Sequence, residues 1–410
     1  MKEKIRSYFK ENYEQLKDAI INLTIEMCRE KTVNVVSEKL SEHPYLKIRG
    51  EEYRVAEIVK REFDSLGIPY EEYSRMVGRP NVIGIVGSGK NSQKLLMAAH
   101  MDIVPAGDGW DTDPFEPAIK GDYIYGRGVL DNKGPLASCI IAAKVLKEVV
   151  GEENIAGQLQ IAALADEEAE DPDGIDYGIG FLLEENLIAP TYAIIPDIGE
   201  NMKKIDIAEK GRTVFKIVSK GKQAHGSTPE RGVNAIYHIA KLISEIEKLK
   251  FEFEPHPLLI KPTLNLGEIH GGAAANIVPG ECFIILDIRT LPGQTKEKVI
   301  AQLESLTDKV EGDFTVSVEA WSDPHKIDPD NALVNAIQEN SEKYWGFKPE
   351  PFGMGGGTFA KTLNLKGIAA VGFGPGDDEA FHVANESVEI KQLVDFAEIT
   401  CMVALDLLNN

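Results

Sequence analysis

The sequence predicts an α/β protein whose largely parallel sheet carries helices on both faces and is interrupted by a smaller α+β domain. Three observations lead there. Short apolar runs of strand length recur at 81–87 (NVIGIVG), 94–102 (KLLMAAHMD), 159–165 (LQIAALA) and 192–197 (YAIIPD). Segments of helical period alternate with them, including the amphipathic EEYRVAEIVKREFDSL at 51–66 and GPLASCIIAAKVLKEVV at about 134–150. Such alternation favours parallel pairing, because a helix is the usual crossover between parallel strands. The third observation is a change of pattern near residue 210.

From there the elements follow in order. GRTVFKIVSKG alternates as a half-buried strand, and VNAIYHIAKLISEIEKL at 233–249 has helical period. KPTLNLGEI and ECFIILDIR read as strands, KEKVIAQLESLTDKV as a helix and FTVSVEAW as a strand. The order βαββαβ matches a ferredoxin-like sandwich. Outside it, residues 1–30 read as one helix. After about 323 the first pattern resumes with a helix at 331–345, the apolar run GIAAVGFG and a last helix near 390–408. The expected domains are therefore 1–209 with 323–410, and an inserted 210–322.

The 410 residues suffice for two or three domains with substantial cores. Sixty-six acidic against 44 basic residues give a net charge of −22, which repels phosphate backbones and anionic lipid. That argues against nucleic-acid and membrane-surface roles, whereas a small-molecule substrate answers to local charge. Cys28, Cys139, Cys282 and Cys401 lie far apart without a CxxC pair. They read as small core residues in a reducing compartment rather than a disulfide framework or a thiolate metal site. The charged, helix-like N-terminal segment lacks the apolar stretch of a signal peptide, and no apolar run approaches the ~20 residues that span a bilayer. The expected location is the cytoplasm.

GIVGSGKN at 84–91 approaches a phosphate-binding loop, but Asn91 replaces the hydroxyl residue and a strand follows where a helix should begin. It reads as a Gly-rich turn between strands.

The chemistry-bearing residues cluster after predicted strands, where open α/β sheets bind ligands. His100 and Asp102 end one strand in AAHMD, and Asp197 closes YAIIPD. Glu167 and Glu168 follow LQIAALAD; on an extended chain they would point opposite ways, one to a metal and one to a reacting water. Asp131 stands before a helix in GRGVLDNKGP, and His382 lies in a late loop, DDEAFHVANE. Each has an ordinary alternative: a satisfied strand-end histidine, a helix-capping aspartate, a solvated acidic loop. Together they form a nitrogen and oxygen donor set suited to a hydrolytic zinc site.

LLMAAHMDIVP, YGRGVLDNKGP, LADEEA, AIIPD and FHVANESVEI, in this order and approximate spacing, resemble a family of di-zinc amidohydrolases and exopeptidases over nearly the whole chain. That family includes acetylornithine deacetylase, succinyl-diaminopimelate desuccinylase, aminoacylase, carboxypeptidase G, tripeptidase and the carnosinase-like dipeptidases. The resemblance implies a zinc-exopeptidase-like fold with an inserted lid and dimerisation domain, a homodimer, and two zinc ions per chain. Cobalt or manganese would accept similar ligands. It implies that His100 and Asp197 hold one ion, Glu168 and His382 the other, and Asp131 both, through a cis peptide at Asp131–Asn132. Asp102 would orient His100, and Glu167 would be the general base.

In the inserted domain, QAHGSTPERG resembles the segment whose histidine, here His225, reaches an active site. ANIVPGECFIILDIR would supply Asn276 and Arg289 to the substrate. GMGGGT (Gly355, Gly356, Gly357 and Thr358 within it) resembles the loop that receives a substrate carboxylate. Relatives that cleave di- and tripeptides mostly carry Asp at the position of Asp197, and those that deacylate amino acids mostly carry Glu. The expected activity is therefore hydrolysis of short peptides, as a dipeptidase or aminopeptidase. The alternative is deacylation of N-acyl amino acids.

Overall fold

The computed structural model describes residues 1–35, 50–168 and 174–409. The chain divides into two compact units, one of residues 1–207, 327–352 and 358–410, the other of residues 208–326 and 353–357.

The larger unit is built on a mixed sheet. Its strands lie in the order Tyr70–Tyr73, Asn81–Val86, Gln158–Leu164, Lys94–His100, Tyr192–Ile195, Ala369–Gly372 and Lys204–Glu209. The four strands from Gln158–Leu164 to Ala369–Gly372 are mutually parallel, and the flanking ones join antiparallel. The sheet is therefore parallel where it is deepest, as the continuous apolar runs predict. On one face Leu96, Ala98, Ala162, Leu164, Ala193, Ile195 and Ala370 pack on the helices Ile179–Glu184 and Phe359–Leu365. The alternate residues Leu95, Met97 and Ala99 are equally buried, where the helices Lys133–Val145 and Ile390–Leu408 adjoin the central strand. Helices thus cover both faces.

Two local expectations need correction. The N-terminal helix is two helices, Lys2–Glu11 and Tyr13–Arg29, broken at Asn12. The helix begun at Lys133 ends as an α-helix at Val145 and continues as a π turn to Val150. GIVGSGKN is the end of the strand Asn81–Val86 followed by a turn, with Gly87 and Gly89 at positive φ. All four cysteines are buried and unpaired.

The smaller unit has the antiparallel strand order Thr263–Gly271, Glu281–Thr290, Gly211–Lys220, Asp313–Ser322. The helices Ala235–Ile246 and Lys296–Thr307 pack against one face through Ile239, Leu242, Val299 and Leu303, which meet Phe215, Ile217, Ile284 and Leu286. The strict in-out alternation of Gly211–Lys220 produces this one-sided core. Asn234 and Thr295 cap the two helices, accepting from the amides of Ile236 and Lys298. Among the described residues, no helix is long and apolar enough to cross a membrane.

Candidate metal centre

All four parallel strands deliver a side chain to one place. His100 is the last residue of the central strand, Glu167 and Glu168 follow the strand ending at Leu164, and Asp197 follows the strand ending at Ile195. His382 sits at φ +60° in the loop after Ala369–Gly372. Asp131 comes from the segment entering the helix Lys133–Val145, and the Asp131–Asn132 peptide is cis.

The Asp131 carboxylate lies between the two imidazoles. Its Oδ1 is 2.8 Å from His100 Nε2 and its Oδ2 is 3.0 Å from His382 Nε2. His100 Nε2 is 3.9 Å from Asp197 Oδ1, and His382 Nε2 is 3.1 Å from Glu168 Oε2. Two ligand-like triads result, His100–Asp131–Asp197 and Asp131–Glu168–His382, sharing one carboxylate. Glu167 belongs to a third grouping with His100 and Glu168.

The backbone around these groups is held by residues the sequence did not single out. Buried Glu386 accepts the amides of Gly128, Leu130 and Asp131 at 2.8–3.1 Å through Oε1 and is paired with buried Arg127 at 2.7 Å. Asn132 Nδ2 donates to Asp197 Oδ1 at 3.2 Å. Asn34 Nδ2 donates to Asp102 Oδ2 at 2.8 Å.

Asp102 touches both the His100 ring and the segment that carries the two glutamates. His100 Nδ1 is 2.9 Å from the Asp102 backbone carbonyl and 3.5 Å from its Oδ1. The Asp102 carboxylate accepts the amides of both Glu167 and Glu168 at 3.0 Å. Two successive amides aimed at one carboxylate mean that the chain curls there. The opposite-facing reading of the two glutamates is therefore wrong: Asp166, at φ +64°, turns the chain, and both carboxylates join the same cluster.

The electrostatics follow from crowding. Burial and the charge of Asp131 push Glu168 up to about 8. Burial and Asp197 raise Glu167 well above the usual carboxylate range, and burial and Asp131 raise Asp197. Burial opposes ionisation of Asp131 too, but hydrogen bonds from His100 and His382 hold it well below that range. Burial likewise opposes protonation of His100, yet its bonds to Asp102 and Asp131 raise it well above the usual imidazole value. Hydrogen bonds to Asp131 and Glu168 push His382 up to about 11. Glu168 Oε1 is buried and has no hydrogen-bond donor. A shared carboxylate, crowded acids and an orphaned carboxylate oxygen fit a pair of divalent cations.

A pH dependence follows. In the metal-free chain Glu168 has a folded pKa raised from 4.5 to about 8, so its contribution to stability is lost as pH rises through that interval. His382, raised from 6.5 to about 11, contributes stability that is full below 6.5 and lost as pH rises towards 11. Both signs agree. Cations bind the deprotonated ligands, so their stabilisation grows with pH. The melting-temperature gap between chelated and zinc- or cobalt-loaded samples is expected to widen from pH 5.5 to 8; a constant or shrinking gap would contradict this.

The remaining expected site residues lie mainly in the smaller unit. His225 is exposed; its Nδ1 accepts the Ser227 amide at 3.2 Å, so in the neutral ring the proton sits on Nε2. Gly226 donates to the carbonyl of exposed Asn276 at 2.7 Å, and a Cβ there would meet the Asn276 backbone at 2.9 Å. Arg289 is engaged by Asp287 at 2.7 and 3.3 Å, and its Nη1 donates to the Gly355 carbonyl at 3.4 Å. Gly356 and Gly357 follow in the same short segment of this unit. Thr358, in the larger unit, accepts the Ala360 amide and caps the helix Phe359–Leu365.

Residues 207–314 match a family model described as the M20 peptidase dimerisation domain. This segment is an M20 peptidase dimerisation domain. The similarity continues into the unit that bears the candidate metal centre. An uncharacterized metallohydrolase of Methanocaldococcus jannaschii is 29% identical over 79% of this chain and 83% of its own. The succinyl-diaminopimelate desuccinylase of Nautilia profundicola is 28% identical over 74% of this chain and 82% of its own. Among solved structures, the aminopeptidase PepT of Bacillus cereus shares the fold, with a TM-score of 0.74, 24% identity, and coverage of 95% of this chain and 98% of that one. The family resemblance read from the motifs is borne out. The chain is a hydrolytic enzyme acting on amide bonds, similar to the peptidases and amidohydrolases with which it shares this dimerisation domain.

Proposed function

We propose that the chain is a dinuclear metal-dependent hydrolase that cleaves an amide bond in short, unblocked peptides. The observation that carries this reading is the Asp131 carboxylate, each oxygen of which faces a different histidine-bearing triad. His100, Asp131 and Asp197 would hold one cation, and Asp131, Glu168 and His382 the other. The all nitrogen and oxygen donor set suits zinc. Two such ions supply Lewis acidity and lower the pKa of water from about 15.7 toward about 7.

The chain's own groups manage the proton. Glu167, with its raised pKa, takes it from the attacking water and delivers it to the leaving nitrogen. His225 donates from Nε2 to the developing oxyanion, a contribution typically worth roughly 3–4 kcal/mol of barrier. Arg289, with Asn276 and the 355–358 segment, fixes the substrate carboxylate; an arginine fork sets register as well as affinity. The dimerisation domain supports a twofold homodimer, and in this reading, which rests on the motif resemblance, His225 serves the other protomer's centre.

Charge around Asp197 supports the peptide over the N-acyl substrate. Asp378 accepts the amides of Gly199 and Glu200, two and three residues after Asp197, and burial chiefly, with the charges of Glu200 and Asp197, raises its pKa. Such a surrounding attracts the free ammonium of a peptide, which an N-acyl amino acid lacks. The desuccinylase similarity favours the second reading, deacylation. A screen of the zinc-loaded protein decides, comparing kcat/KM for Ala-Ala, Leu-Gly and Ala-Ala-Ala with N-acetylornithine, N-acetylalanine and N-succinylalanine. The peptides are expected to lead. A tenfold or greater preference for the acylated set, about 1.4 kcal/mol in the barrier, would reverse the assignment.

A further inference from the structure

The segment that carries Glu167 is held by a buried charged network separate from the metal ligands. Arg79 is fully buried just before the strand Asn81–Val86. Its Nε lies 3.1 and 3.0 Å from the two Glu52 carboxylate oxygens, and its Nη2 also bonds Glu52. Its Nη1 lies 2.9 Å from Asp166 Oδ1, and the guanidinium stacks over the Tyr177 ring at 5.1 Å. Asp166 is the residue at φ +64° that turns the chain into Glu167.

Further contacts converge on Ala165 to Glu168. Asn81 Oδ1 accepts the Ala165 amide at 3.0 Å, and Glu52 Oε1 accepts the Asp166 amide at 3.3 Å. Asp166 Oδ1 takes Asn34 Nδ2 at 3.1 Å, and Asp166 Oδ2 takes the Tyr177 amide at 3.2 Å. Asp102 then accepts the amides of Glu167 and Glu168. Every backbone amide from Ala165 to Glu168 is therefore fixed by a side chain from elsewhere in the fold.

We propose that Arg79 is a positioning residue for Glu167, acting by clamping the Asp166 carboxylate and with it the left-handed turn. This rests on the reading of Glu167 as the general base. The physical case has three parts. A left-handed non-glycine residue costs energy and persists only where its surroundings over-determine it; an aspartate tolerates it better than most. A buried ion network is a weak source of net stability, so its retention is better explained by geometry. The planar fork turns Nε and Nη2 to Glu52 while holding Nη1 in an ion pair with Asp166, a fixed geometry that lysine's compact ammonium does not reproduce. Displacing a catalytic group by about 1 Å can lower turnover by about 10²-fold.

The test uses Arg79→Met and Asp166→Asn, singly and together, in the zinc-loaded full chain, with the fastest of the six screened compounds as substrate. Each single variant is expected to lower kcat by tenfold to a hundredfold, to leave KM within about twofold, and to move the acid limb of the kcat pH profile. The double variant should be no slower than the worse single, because both break one clamp. Arg79→Lys should recover little. Metal content and melting temperature are measured alongside. If Arg79→Met does not fold, Asp166→Asn alone carries the kcat and pH-profile test. Unchanged kcat, an unmoved acid limb, or multiplicative losses in the double variant would overturn the proposal. Glu167→Gln in the same assay separates the two readings. An active Glu167→Gln would refute the base; an inactive one beside fully active clamp variants would refute only the clamp.

Discussion

Glu167→Gln is expected to lower kcat by about 10²–10⁴-fold, the range that a positioned general base contributes, with metal content unchanged. The substitution keeps the volume and the main-chain contacts. The Glu167 amide still donates to Asp102, so the turn and the neighbouring Glu168 stay in place. What disappears is the ability to accept a proton. Stability should not suffer, because Glu167 is a crowded acid: burial and the charges of Asp197 and Glu168 raise it, and a neutral amide relieves that repulsion. The metal-free variant is therefore expected to melt no lower than the parent at pH 8, where the acids are most ionised. The check is steady-state kinetics with metal analysis on the same sample. A variant within fivefold of the parent kcat would remove Glu167 from the mechanism and return it to the role of an acidic bystander.

Most of the candidate ligands could be read in the sequence because they stand where a short apolar run stops. His100 ends, and Asp197 and the Glu167–Glu168 pair follow, strands that are buried on both faces, whose ends are marked by polar residues. The supporting residues have no such signal. Glu386 is one acid in ANESVEI, and its partners Gly128 and Leu130 lie more than 250 residues away. Asn34 is a single polar residue in the apolar TVNVV, and Arg79 reads as a surface charge before a proline. Their roles exist only after the chain has folded around them. The strand Lys204–Glu209 is hard to see because half of KIDIAE is charged, whereas Ile205 to Glu209 are all buried in the fold. The helices Ile179–Glu184 and Phe359–Leu365 are too short for a helical period to emerge. The error over the two glutamates came from assuming an extended chain, when one left-handed aspartate turns it.

Asp131 should prove the costliest single residue to change. Neutralising it as Asp131→Asn keeps its size but removes the charge that both histidine-bearing triads share. Changes to residues that merely orient a ligand already cost about 10–100-fold in metal affinity, so losing a shared ligand should cost more than about 100-fold at each position. Metal content is expected to fall from two ions per chain towards none after gel filtration in metal-free buffer. His382→Ala, which belongs to one triad only, should retain about one. The metal-free fold should weaken as well. Asp131 is held well below the usual carboxylate range, chiefly against burial, by the two imidazoles, so its ionised form stabilises the native state at every pH above about 4. Removing that charge leaves buried His100 facing a neutral amide in place of its 2.8 Å carboxylate partner, and the melting temperature at pH 7 should drop. Two ions retained by Asp131→Asn, or equal losses in Asp131→Asn and His382→Ala, would show that the carboxylate does not bridge two sites. The reading would then contract to a single-metal hydrolase.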